Sequence, residues 1–162
     1  MIYSYNCNTQ EDTECLAREL SQITKQGDVW ALFGTLGVGK SVWSRAFVQY
    51  LTSVIEVPSP TFTLVQVYEA PNFEIYHYDL YRLKSAEEIW ELNIEEAMHE
   101  NVCLIEWPEK MGAYLPRNCF KVNIVATSTQ SRRFDIEVNS IEKQERLLKC
   151  VRKPDTINEN NG

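Results

Sequence analysis

Three observations predict an α/β fold for this chain, layered three deep around a mixed sheet. Val29-Trp30-Ala31-Leu32-Phe33 and Val102-Cys103-Leu104-Ile105 are short, unbroken apolar runs, the mark of strands buried on both faces. Behind the first run, Trp43, Ala46, Phe47, Tyr50 and Leu51 recur at helical spacing. Residues 62–68 and 73–79 are strand-like and are joined only by Ala70-Pro71-Asn72. That link is too short for a parallel crossover, so the pair is an antiparallel hairpin.

The remaining elements follow in order. Ile2-Tyr3-Ser4-Tyr5 reads as a short strand. Asn8 or Thr9 caps a first helix, with Glu11 or Asp12 as box partner, and Leu16, Leu20 and Ile23 mark its apolar face. Gly27 is its expected stop. Pro58-Ser59-Pro60 forbids regular structure, because each proline lacks a donor and restricts the residue before it. Ser85-Ala86-Glu87-Glu88 is a capping box for a helix running into Leu92. Strands are expected over residues 120–126 and 134–138, then a helix over 141–151. Residues 1–151 read as a single domain, and residues 152–162 as a polar, disordered tail.

Bulk properties narrow the classes. A chain of 162 residues suits one domain with a substantial core. No apolar run approaches the roughly 20 residues that span a bilayer, and the first residues lack the layout of a signal peptide. A cytoplasmic protein is expected. The five cysteines are widely spaced without a C-x-x-C pair, which argues against a disulfide framework or a zinc site. Cys103 reads as a small core residue. The net charge of −7 disfavours direct, dominant binding to nucleic acid, whereas a single nucleotide needs only one local positive site.

That positive site is legible. Gly34-Thr35-Leu36-Gly37-Val38-Gly39-Lys40-Ser41 satisfies G-x-x-x-x-G-K-[S/T] in full, between a buried strand and an amphipathic helix. Glycines let successive backbone N–H groups turn inward around phosphates, and the helix N-terminus adds its positive end. Lys40 would reach the β and γ phosphates, and the Ser41 hydroxyl would ligate Mg2+. Thr35, Leu36, Gly37, Val38, Gly39 and Val42 complete the cradle. A P-loop needs a further acid near the metal, usually at a strand end. Both Asp79 and Glu106 end predicted strands and remain alternatives for that role. The architecture is therefore P-loop NTPase-like. There is no N/T-K-x-D guanine-reading motif and no L-S-G-G-Q segment, which sets aside Ras-like GTPases and transporter ATPases.

Four blocks together resemble the TsaE (YjeE) family, the small ATPases of bacterial tRNA threonylcarbamoyladenosine synthesis. They are the glycine loop, Pro58-Ser59-Pro60-Thr61-Phe62-Thr63-Leu64-Val65, His77-Tyr78-Asp79-Leu80-Tyr81-Arg82-Leu83, and Leu104-Ile105-Glu106-Trp107-Pro108-Glu109. The resemblance covers roughly residues 5–140. It implies ATP and Mg2+ as cofactors. It implies Lys40 and Ser41 at phosphate and metal, Glu106 as the second metal acid, and Asp79 as the acid supporting hydrolysis. Thr61 would be a switch threonine near the γ-phosphate, and Trp107 would lie close to the nucleotide. It further implies TsaB and TsaD as partners, with tRNA reached indirectly through their complex and no membrane involved. Two positions depart from the family pattern: Thr35 stands where aspartate is common, and Ser41 where threonine is usual.

The leading expectation is slow, Mg-dependent ATP hydrolysis used as a switch, weak in the isolated protein. A small-molecule P-loop kinase is the alternative, with Arg117, Arg132 and Arg133 in a lid. A nucleotide-gated interaction module is the third. His77 is expected to pack or hydrogen-bond on its strand, and Arg82 and Arg45 to pair at the surface or meet phosphate.

Overall fold

The computed structural model describes residues 1–160. Its eight strands are β1 (Ile2–Cys7), β2 (Val29–Phe33), β3 (Val65–Glu69), β4 (Glu74–Asp79), β5 (Val102–Glu106), β6 (Phe120–Ala126), β7 (Arg132–Glu137) and β8 (Thr156–Asn158). Four α-helices accompany them: α1 (Gln10–Gln22), α2 (Lys40–Leu51), α3 (Ile94–Glu100) and α4 (Ile141–Lys149). The strands form one mixed sheet in the order β3-β4-β5-β2-β6-β7-β1-β8. The centre, β4-β5-β2-β6, is parallel, and both flanks are antiparallel.

Burial follows from the apolar runs. Every residue of β5 is buried, and so are Val29, Trp30, Ala31 and Leu32 of β2. Alternate residues feed two cores. Trp30, Leu32 and Leu104 face one side, where Leu16, Leu20, Trp43, Phe47 and Leu147 of α1, α2 and α4 cover them. Ala31, Cys103 and Ile105 face the other, under Ile89, Ile94, Ala97 and Met111. The expected three layers and the expected hairpin between β3 and β4 are both present, the latter pairing Val65 with Tyr78. Cys103 is a buried core residue, as expected.

Local signals carry most element starts. Thr9 caps α1 and forms a capping box with Asp12. The Ser85–Glu88 box is also present, but it opens a 3-10 helix over Ala86–Leu92. Asn93 then turns left-handed, at φ 59, before α3 begins.

Residues 152–160 depart from the disordered tail expected of their polar composition. The Asp155 N–H donates to the Ser4 carbonyl at 2.8 Å, and its carboxylate accepts from the Asn6 N–H at 2.7 Å. Thr156–Asn158 then pairs antiparallel with β1 as β8. Backbone pairing at a sheet edge needs no apolar side chain, so composition does not reveal it. Asn161 and Gly162, part of the same expected tail, lie outside the described residues.

Candidate nucleotide-binding site

The parallel centre of the sheet places the ends of β2, β4 and β5 side by side. In such sheets ligands bind outside the carboxyl ends of the strands. The glycine loop leaves β2 at that edge and runs into α2. Gly39 is the N-cap of α2, and no side chain caps it. The first amides of a twelve-residue helix are thus left without an intrahelical or side-chain acceptor. Gly34 is required by space as well as backbone: at φ 152, an added Cβ would lie 2.6 Å from Val38 Cγ1. Gly39 adopts φ 124, a region that favours glycine.

Four ionisable side chains are buried together here: Lys40, His77, Asp79 and Glu106. Buried charges persist only when paired or hydrogen-bonded. The Lys40 ammonium donates to the Gly34 carbonyl at 2.5 Å and lies 3.5 Å from the centre of the Trp107 ring. Burial pushes the Lys40 pKa down, against the pull of Glu106, Glu109 and Asp79, which raise it. Trp107 reaches that position from a left-handed backbone, φ 59, and its other neighbour is Tyr81, centroid to centroid 4.9 Å.

The two candidate acids occupy adjacent strand ends, since Asp79 faces Glu106 in the β4–β5 register. Their hydrogen-bond partners differ. Glu106 Oε1 accepts from the Ser41 hydroxyl at 3.2 Å, and Oε2 lies 2.6 Å from His77 Nε2. Asp79 Oδ2 accepts from the Thr61 hydroxyl at 3.1 Å, and Oδ1 from the Tyr81 N–H at 3.1 Å. Glu106 is therefore beside the serine of the loop, and Asp79 beside the proline-flanked segment that carries Thr61.

A cavity of about 210 Å³ joins Leu36, Gly37, Gly39, Lys40, Ser41 and Val42 to Ser59, Thr61, Asp79, Glu106 and Trp107. A larger one, about 590 Å³, opens on the opposite flank of the loop, against Gly37, Val38, Gly39 and Val42. Thr9, Gln10, Thr13, Thr129, Gln130 and Arg132 form its outer wall. Thr35 does not line either cavity; its carbonyl accepts from the Val38 N–H inside the loop.

A family described as "Threonylcarbamoyl adenosine biosynthesis protein TsaE" matches residues 7–134. This chain belongs to the TsaE family. Among curated TsaE proteins, that of Rickettsia conorii is 43% identical over 145 residues, covering 87% of this chain and 81% of its own. That of Bacillus subtilis is 32% identical over 123 residues, covering 75% and 77%. Both are named as tRNA threonylcarbamoyladenosine biosynthesis proteins. The crystal structure of Bacillus subtilis YdiB superposes with a TM-score of 0.73 at 23% identity, over 90% of this chain and 91% of that one. At that identity the superposition bears on the fold alone.

Within this TsaE fold, three residues take places that the sequence left open. His77 hydrogen-bonds from its strand, as expected, and its partner is Glu106 of the neighbouring strand. Arg132 does not lie free in a lid: its Nε donates to the Val38 carbonyl at 2.7 Å, bracing the glycine loop from β7. Arg133 is taken up by Asp135 at 3.0 Å. Arg82 stacks over Phe62, 4.5 Å from the ring centre, and Arg45 points to solvent. The wall of the larger cavity escaped sequence reading. Thr9 gave a visible signal only as a helix cap, and Thr129 and Gln130 sit in a polar turn that resembles any other.

Proposed function

We propose that this chain binds ATP with Mg2+ and hydrolyses it slowly, as a nucleotide switch in tRNA threonylcarbamoyladenosine modification, acting with TsaB and TsaD. The observation that carries this reading is the uncapped start of α2, where the Ser41 hydroxyl stands 3.2 Å from the buried Glu106 carboxylate. Free amides and an ammonium suit phosphate oxygens. A hydroxyl and a carboxylate side by side suit Mg2+, which takes oxygen donors and shares them with phosphates. The donor set therefore fits the cation. When bound, Mg2+ would neutralise charge on the β and γ phosphates, held by Ser41 and Glu106.

The chain's own groups supply the rest. Lys40 gives up the Gly34 carbonyl for the phosphates. The glycine-loop amides hold the β-phosphate in place. Asp79 accepts a hydrogen bond from the attacking water and orients it in line, since positioning dominates phosphoryl transfer. Thr61 exchanges its bond to Asp79 for the γ-phosphate, so the segment 58–61 differs between the triphosphate and diphosphate states. The base and sugar occupy the larger cavity, whose Thr9, Gln10 and Gln130 offer polar partners. Family membership supports the assignment to tRNA modification, and the net charge of −7 agrees with partners holding most of the RNA.

ATP turnover with and without TsaB, TsaD and tRNA tests this reading. Lys40→Ala is expected to lower turnover by about 100-fold or more. Asp79→Ala should keep nucleotide binding and lose turnover, and Glu106→Ala should need more Mg2+ for any turnover that remains. Wild-type turnover in Lys40→Ala would remove the proposal.

A further inference from the structure

His77 has no part in the phosphate chemistry above, yet it is 1% exposed and aimed at the site. It shares a strand face with Asp79, two residues on. Its Nε2 lies 2.6 Å from Glu106 Oε2. Its Nδ1 is buried with no hydrogen-bond partner. An orphaned ring nitrogen in a core is unfavourable, and an apolar side chain there would leave none. The position therefore retains an imidazole at a cost to the core.

The geometry of Glu106 shows what that imidazole does. In the free protein the carboxylate is anchored at both oxygens, Oε1 by Ser41 and Oε2 by His77. The proposed function directs Oε1 and the Ser41 oxygen toward Mg2+, so Oε2 is the carboxylate oxygen left for an anchor that does not face the cation. We infer that His77 is the positioning residue for Glu106, holding Oε2 so that Oε1 stays directed at the cation. The inference rests on the reading of Ser41 and Glu106 as the metal-holding pair. A carboxylate oxygen only accepts, so Nε2 must carry the ring proton. A histidine that orients a metal-side carboxylate typically governs metal affinity by about 10–100-fold when removed.

The test is binding of a non-hydrolysable ATP analogue, first in EDTA and then across a Mg2+ titration. His77→Phe is expected to bind the analogue in EDTA within about 2-fold of wild type, and to need about 10–100-fold more Mg2+ for tightening. His77→Gln places an N–H near the Nε2 position and should recover most of the loss. In the Glu106→Gln background, His77→Phe should add no further loss, because the two act through one contact. A wild-type Mg2+ requirement in folded His77→Phe, with analogue binding intact, would overturn the inference and leave the nucleotide reading standing. Wild-type protein that shows no Mg2+-dependent tightening would overturn that reading and this one with it. Nitrogen NMR of the unmodified protein decides the matter even if His77→Phe does not fold. A protonated Nε2, perturbed by Mg2+ with the analogue, agrees with the inference; a proton on Nδ1 alone contradicts it.

Discussion

Lys40 is the residue on which the proposed phosphate contact turns. Its ammonium has one carbonyl and one aromatic face for company, and burial holds its pKa below the ordinary 10.5. Phosphate oxygens would raise that pKa again. As pH climbs through the free protein's lowered value toward 10.5, the free form loses its proton and binding must restore it. Affinity for the ATP analogue is therefore expected to weaken across that alkaline window, with proton uptake on binding measurable by calorimetry in buffers of different ionisation heat. Lys40→Arg, which stays charged, should lack the decline. An alkaline profile that is flat in the wild type would refute this account of Lys40.

At the scale of elements, α4 is tied to the turn that feeds β2. Arg146 donates from Nη1 and Nη2 to the two carboxylate oxygens of Asp28, at 2.5 and 2.8 Å, and from Nη1 to the Ile23 carbonyl at 2.8 Å. Burial alone would lower the Arg146 pKa, but its hydrogen bonds to the Asp28 and Glu142 carboxylates raise it overall. Removing one partner of a buried pair strands the other charge. Arg146→Ala is expected to cost about 3–5 kcal/mol, read from the denaturant midpoint, whereas Arg146→Met with Asp28→Asn should cost much less. Equal losses in both would mean that packing of the arginine stem, and not the pairing, holds α4 in place.

The whole molecule is organised around Trp30, fully buried in the central strand. Its ring stacks on Phe120 of β6 at 4.0 Å and 8°, and meets Trp43 and Phe47 of α2 at 5.6 and 5.9 Å. The helix that carries Lys40 and Ser41 thus packs on the sheet in large part against this side chain, within a core that also holds Leu32 and Leu104. Trp30→Ala should destabilise by about 3–5 kcal/mol, which for a chain of this length lowers the melting temperature on the order of 10 °C. Nucleotide affinity should fall with it, since α2 loses its seat. Unchanged affinity in a destabilised Trp30→Ala protein would show that the loop holds its shape without that packing.

Much of this was legible before any coordinates, because the determining physics is local. Alternating and continuous apolar runs set the strands, a short turn set the antiparallel hairpin, and the glycine loop announced an anion cradle from residue types eight positions long. The cap at Thr9 and the box at Ser85 were equally local, although the latter opened a 3-10 turn. What sequence reading could not reach depends on strand order. Thr61 meets Asp79 across 18 residues, His77 meets Glu106 across 29, and Arg132 meets Val38 across 94. Nothing in the period or composition of those segments records which neighbours the sheet will assign them. The different partners of Glu106 and Asp79, the brace on the loop, the larger cavity and the eighth strand all depend on which distant segments the sheet brings together. The chain's own pattern determined that a glycine loop joins a buried strand to a helix; only the sheet's order decided which side chains stand around it.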